Sequence, residues 1–202
     1  MIIIGLTGSI GMGKSATADL IGEAGIPVFD SDASVHALYA KGGKAVAPID
    51  EAFPGVVVDG VVDRTLLSAA LHEDPSGFAR LEAIVHPLVL EQREAFLHEA
   101  HLNGADLVVF DVPLLFETGG HEHVDHVLVV HAPEAERRAR VLQRPGMTEA
   151  KLDAIIARQL DDSSKLARAD YRVETSGGLD DARSQIDAIL KSIRGQIEDS
   201  DK

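Results

Sequence analysis

The stretch GSIGMGKS, residues 8–15, follows directly on the apolar run Ile2, Ile3, Ile4. A glycine, four residues, then Gly13, Lys14 and Ser15 is the spacing of a phosphate-binding loop placed where a strand turns into a helix. In such a loop successive backbone N–H groups point at phosphate oxygens. The lysine reaches the terminal phosphates and the hydroxyl coordinates Mg²⁺. Gly8, Ser9, Ile10, Gly11, Met12, Gly13, Lys14 and Ser15 are therefore the expected nucleotide site, with Lys14 in a catalytic role and Ser15 as a metal ligand. A Cβ at position 8 or 13 would clash with bound phosphate or strain the turn. From average residue usage, a chance match in a chain this long is on the order of one per cent, so the motif restricts both the fold and the chemistry.

Five short apolar runs, 2–7, 26–30, 106–111, 126–131 and 170–174, read as strands alternating with helical patterns. This alternation predicts an α/β fold of the phosphate-loop NTPase type: a parallel five-stranded sheet flanked by helices, with ligands at the carboxyl edge of the strands. About 75 residues separate the second and third strands and about 38 the fourth and fifth, both well beyond an ordinary crossover. Both inserts read as helical. Leu152, Ile155, Ile156 and Leu160 follow the spacing of a helix with one buried stripe, as do Leu81, Val85, Leu88 and Val89. Gly42-Gly43, Pro54-Gly55 and Asp74-Pro75 punctuate the first insert and Pro145-Gly146 the second. His86-Pro87 interrupts an apolar stretch, where the proline would do no more than start a helix. The polar tail 195–202 is expected to fray.

The chain has 202 residues and a formal charge of −14. That field repels polyanions and acidic membranes, so neither nucleic acid nor a membrane is an expected partner. A small anionic substrate needs only a local basic pocket. Six of the 12 arginines (Arg137, Arg138, Arg140, Arg144, Arg158, Arg168) fall between residues 133 and 168, which marks that stretch for phosphate contact. The absence of cysteine and of a basic leader before an apolar run makes a cytoplasmic location the expectation.

"VFDSD" ends the second predicted strand with Asp30 and Asp32 on one alternation face, at the edge where the phosphate loop lies. A carboxylate there can take or orient the proton of an attacking hydroxyl. Asp32 fits the base, and Asp30 a supporting or water-mediated magnesium contact, although either would also serve to cap a following helix. "LVVFD" at 107–111 ends in an aspartate suited to the magnesium shell, which makes Asp111 the second metal candidate. The histidines of "GGHEHVDH" (119–126) and "HEAH" (98–101) lack zinc-site spacing and read as solvated loop or helix surface.

Taken together, GSIGMGKS, "FDSD" (29–32), "VDR" (62–64), "IVHPLV" (84–89), "DVPLLFE" (111–117), "RQ" (158–159) and "ARADYRV" (167–173) resemble the dephospho-CoA kinases, in order and spacing, to about residue 193. The resemblance implies transfer of the ATP γ-phosphate to the ribose 3′-hydroxyl of dephospho-CoA, the last step of CoA synthesis, with Mg²⁺. It also implies roles for particular residues. Asp32 would be the base and Thr7 would line the phosphate site. Arg140 and Arg144 would reach down from the lid, with Arg140 catalytic, and their i, i+4 separation suits both to one helix face. Arg64, His86, Pro87 and Arg93 would hold the CoA-like substrate, bordered by Leu115 and Glu117 of "LLFE". One departure stands out: the family's Asn-x-Gly near the adenine is here Thr175-Ser176-Gly177. Adenine contact then falls to backbone groups of residues 175–178, Thr175 and Gly177 among them.

The implied organisation is a nucleotide-binding core (1–32, 104–132, 169–202), a helical substrate-binding insert (33–103) and a helical lid (133–168), acting as a monomer or small homo-oligomer. The nearest alternative is another small-molecule or nucleoside kinase on the same fold, since fold does not fix the acceptor. A nucleotide switch is disfavoured because the single asparagine, Asn103, is followed by Gly104 and cannot form a guanine reader. A non-catalytic CoA-binding regulator would have no use for Asp32 beside the loop.

Overall fold

The computed structural model of the chain describes the backbone of residues 1–200 and the side chains of residues 1–196. In chain order the elements are β1 (Ile2–Thr7), α1 (Lys14–Glu23), β2 (Val28–Asp30), α2 (Ser31–Tyr39), α3 (Val46–Ala52), β3 (Val57–Val58), β4 (Val61–Val62), α4 (Arg64–Glu73), α5 (Gly77–Leu102), β5 (Leu107–Asp111), β6 (His126–His131), α6 (Glu134–Leu142), α7 (Glu149–Ile156), α8 (Asp162–Ala167), β7 (Tyr171–Glu174) and α9 (Leu179–Ser200). The main sheet has the order β2-β5-β1-β6-β7. Its central strand β1 runs parallel to β5 and β6, with Ile2 opposite Leu107 and Ile4 opposite His126, and β6 runs parallel to β7. β2 begins at Val28 rather than residue 26. Pro27 has no N–H to give a ladder, and only its carbonyl takes part, accepting from Val109 N–H at 2.9 Å.

The chain divides into two compact units, one of residues Met1–Val28 and Gly104–Lys202, the other of Phe29–Asn103. In the first, apolar residues on both strand faces explain why β5 and β6 read as unbroken hydrophobic runs. Ile4, Leu6, Leu107, Val109, Leu128, Val130 and Val173 pack with Leu20 and Ile21 of α1 and with Ala182, Ile186, Leu190 and Ile193 of α9. The alternate residues Val127 and Val129 pack with Leu115 and Phe116 and, at their margin, Leu166 of α8. Each of the Val, Leu, Ile and Phe side chains withdrawn from water contributes about 1.5–3 kcal/mol against the entropy of ordering. The 3–4 spacing of the α9 apolar residues gives that helix a single stripe to bury, and it carries the helix to Ser200, so residues 195–200 are helical where fraying was expected. Residues 201 and 202 lie outside the described residues.

The second unit has its own core of Leu38, Tyr39, Ile49, Phe53, Val56, Val62, Leu67, Leu71 and Val85. It is not wholly helical as expected. Val57 pairs with Val62 and Val58 with Val61 across an Asp59-Gly60 turn in which both residues have positive φ, 52° and 81°. That is the mirror-image turn whose twist suits a two-residue hairpin. Pro87 also departs from expectation, because it lies inside the 26-residue α5. Its ring nitrogen cannot donate to the Ala83 carbonyl, and the helix spans the gap with neighbouring bonds. The predicted stripes persist in part: Val85 is buried in α5 and Leu152 in α7, but α7 ends at Ile156, short of Leu160.

Candidate active site

The phosphate-loop sequence leaves β1 at Thr7 and enters α1 at Lys14, as the motif predicts. Gly13 caps the helix in the left-handed region, φ 93° and ψ 15°, where a side chain is strained. At Gly8 the constraint is packing: an added Cβ would lie 2.8 Å from the Val130 carbonyl oxygen on β6. Backbone cannot yield as a flexible side chain would, so Gly8→Ala is expected to destabilise the fold by about 1–3 kcal/mol. A thermal melt reads this as a lowered Tm, and an unchanged Tm would contradict the close approach.

Lys14 Nζ lies 2.5 Å from Asp111 Oδ1 at the end of β5, with the two side chains 18% and 5% exposed. The two strand ends flanking the loop thus bring together the predicted lysine and one predicted metal ligand. The Ser15 hydroxyl and Asp111 carboxylate are hard oxygen donors of the kind Mg²⁺ takes together with water and substrate phosphates, so their chemistry fits that ion. No group of three or more His, Asp or Glu with metal-site geometry occurs among the described residues.

Behind the loop, Thr175 follows β7 and donates from Oγ1 to the Met12 carbonyl at 2.8 Å. Arg140 of α6 donates to Thr175 Oγ1 and to its carbonyl, both at 2.8 Å, and pairs with Glu136 at 2.9 Å. Gly13, Ala16, Thr17, Leu20, Leu179 and Ala182 are among the residues lining a cavity of about 320 Å³ there, with Arg140 and Thr175 at its polar side. Gly177 is not in that lining; a Cβ on it would meet the Asp181 carboxylate.

Arg144 does not share a helix face with Arg140. α6 ends at Leu142, and Arg144 lies in the exposed turn before Pro145. Nor do the arginines of 133–168 face one another bare: Arg137 pairs with Asp162, and Arg138 with Glu149 and Asp153.

Three further candidates make contacts within or to the segment after β5. Thr7 is fully buried and its hydroxyl donates to the Pro113 carbonyl at 3.1 Å. Leu115 is 1% exposed and fills the sheet core, because its side chain sits over Gly5, where only a missing Cβ leaves room. Glu117 accepts from Leu160 N–H at 2.8 Å and pairs with the buried Lys165 of α8 at 2.9 Å. Burial alone would push its carboxyl up; the Leu160 N–H and the Lys165 ammonium outweigh that and hold it below the ordinary value. Sequence reading did not single out Lys165 or Asp162, and quoted Gln159 only within a motif.

In the second unit the chain leaves β2 at Asp30, whose carboxylate accepts from Ala33 N–H at 2.9 Å and so caps α2. The alternation argument for Asp32 therefore fails: it stands in the first helical turn, exposed, and not on the strand. Arg64 opens α4 with its guanidinium 2.5 Å from His36 Nε2. His86 and Pro87 are exposed on α5, and burial lowers the half-buried Arg93 guanidinium from its ordinary value. Of the loop histidines in the first unit, His121 lies against the Phe116 ring and meets Arg168 at 2.7 Å.

A family model described as dephospho-CoA kinase matches residues 2–181. A dephospho-CoA kinase of Mesorhizobium japonicum is 53% identical over 196 residues, 97% of this chain and 98% of that one. Among solved structures, TT1252 from Thermus thermophilus superposes with a TM-score of 0.80 at 36% identity, over 95% of this chain and 97% of the other. The dephospho-CoA kinase from Campylobacter jejuni shares the fold, with a TM-score of 0.67 at 21% identity over 96% and 98% of the two chains.

Proposed function

Because the chain belongs to the dephospho-CoA kinase family, we propose that it transfers the γ-phosphate of ATP to the ribose 3′-hydroxyl of dephospho-CoA, giving CoA and ADP. The observation that carries this reading is the phosphate loop between β1 and α1, with Lys14 paired to Asp111, in a chain that matches the family almost end to end. Phosphoryl transfer asks little covalent chemistry of a protein. It asks for placement of the phosphates and for positive charge where negative charge develops.

In this reading the N–H groups of residues 8–15 cradle the β- and γ-phosphates and Lys14 turns from Asp111 toward them. Ser15 and Asp111 would hold Mg²⁺, which neutralises phosphate charge when bound. Arg140, fixed by Thr175 and Glu136, faces the nucleotide from α6, while Arg144 reaches it from the turn that follows. The cavity beside Thr175 takes the adenine, with Thr175 and Gly178 of residues 175–178 lining it where the family has its Asn-x-Gly segment. Asp32 takes the proton of the acceptor hydroxyl, and its site at the start of α2 leaves the carboxylate exposed for that task. Arg64, His86, Pro87 and Arg93, within 33–103, hold the acceptor. Thr7, Leu115 and Glu117 serve it indirectly, by fixing the segment after β5. Residues 133–168 act as the lid.

The strongly negative chain disfavours nucleic acid and acidic membranes as partners, and no helix among the described residues is long and apolar enough to cross a membrane. A cytoplasmic enzyme, monomeric or a small homo-oligomer, fits a step of cofactor synthesis. ADP release measured with dephospho-CoA, nucleosides and nucleoside monophosphates tests the acceptor. The expected outcome is turnover with dephospho-CoA at least about 10²-fold above the others in kcat/KM, on the order of 3 kcal/mol of discrimination. Comparable turnover of a nucleoside would transfer the chain to a different kinase activity.

A further inference from the structure

Within seven residues, 159–165 make four polar links that alternate between two loops, and a fifth to Arg137 of α6. Gln159 Oε1 accepts from Ile10 N–H at 3.1 Å and Leu160 N–H donates to Glu117 at 2.8 Å. Asp162 accepts from Ser9 Oγ at 2.6 Å and from the Arg137 guanidinium at 2.5 Å, one bond to each carboxylate oxygen. Lys165 then returns to Glu117 at 2.9 Å. Gln159 and Asp162, three apart, reach the tip of the phosphate loop, while Leu160 and Lys165 hold the segment after β5, whose strand ends in Asp111.

A buried ion pair is weak evidence of stabilisation, since desolvation offsets the attraction. The Arg137 and Lys165 side chains are only 6% and 1% exposed. Apolar residues would fill the same space without that cost, so the location of these charges needs another account. We propose that residues 159–165 are a positioning staple for the transfer reaction, with Asp162 as its key: it fixes the tip of the phosphate loop against the segment after β5, so that ATP meets a loop already ordered. The carboxylate lies near a phosphate site, which by itself would repel the nucleotide. Arg137, in contact with it, cancels most of that charge and leaves the ordering of Ser9 dominant.

The proposal rests on residues 8–15 being the phosphate loop, so Lys14→Met is measured alongside. Asp162→Ala is expected to raise KM for ATP about tenfold while KM for dephospho-CoA stays within about twofold. Asp162→Asn, which still accepts from Ser9 but loses the charge opposite Arg137, falls between. In a double-mutant cycle, Ser9→Ala with Asp162→Ala should lose no more kcat/KM for ATP than the worse single variant, because both break one link. Ser9→Ala and Asp162→Asn nearly conserve volume and carry the test if Asp162→Ala does not fold. An unchanged or lowered KM for ATP, equal rises in both KM values, or multiplicative losses in the cycle would overturn the staple. A fully active Lys14→Met would instead overturn the phosphate-loop reading beneath it.

Discussion

Lys14→Met is expected to leave a folded protein with turnover reduced by about 10³-fold or more. Each 1.4 kcal/mol of lost transition-state stabilisation is about tenfold in rate, and a preorganised charge at the transferred phosphate supplies several such steps. The loop backbone does not depend on the lysine side chain: Gly13 turns in the left-handed region and Thr17 N–H bonds the Gly13 carbonyl at 3.0 Å whatever stands at position 14. The variant does deprive Asp111, 5% exposed, of a cation at 2.5 Å. A drop in stability of about 1–3 kcal/mol should accompany the kinetic loss. Lys14→Arg keeps the charge beside Asp111 and should recover most of the stability but little of the rate, because a planar fork does not replace a point charge at the phosphates. Thermal melts and steady-state kinetics on the two variants separate these effects. Near-normal turnover of Lys14→Met would remove the loop from the mechanism.

The second large effect is expected at Asp32. Asp32→Asn keeps the side-chain shape but cannot take the proton of the acceptor, so kcat should fall by roughly 10²–10⁴ while KM for ATP changes little. The transition state is largely dissociative, which places the loss toward the lower end. Stability is a small correction, since an exposed carboxylate in the first turn of α2 contributes about 0.3–1 kcal/mol through the helix dipole. Asp30→Asn is the internal control. Asp30 caps α2 through Ala33 N–H, and asparagine caps as well as aspartate, so this variant should retain most activity and stability. A reversed ranking, with Asp30→Asn the slower enzyme, would transfer the base to Asp30.

The sheet was legible because strands buried on both faces read as apolar runs; β1 and β6 carry the predicted bounds. The phosphate loop was legible for a similar reason, since glycine at 13 answers a backbone demand that sequence records directly. What escaped were features settled by contacts distant in sequence. Alternation carried the second strand through Asp32, whereas the Asp30 cap starts a helix at Ser31. The signal for a cap was present, but it competes with strand periodicity over three residues. The hairpin at 57–62 was passed over although Asp-Gly between paired valines announces it. Helical spacing joined Arg144 to Arg140, whereas α6 stops at Leu142, two residues short of Arg144. Lys165 gave no signal at all. Lysine is read as surface, and only the fold supplies the Glu117 carboxylate that allows it to be buried.

The reaction proposed for this chain moves one phosphoryl group from ATP to the 3′-hydroxyl of dephospho-CoA. Phosphorus NMR of a reaction holding the purified protein, Mg²⁺, ATP and dephospho-CoA follows that group directly. The predicted result is one new phosphomonoester signal, coupled to the ribose 3′ proton, rising in step with ADP. ADP formed without a phosphomonoester, or a phosphate carried elsewhere on the acceptor, would contradict the account.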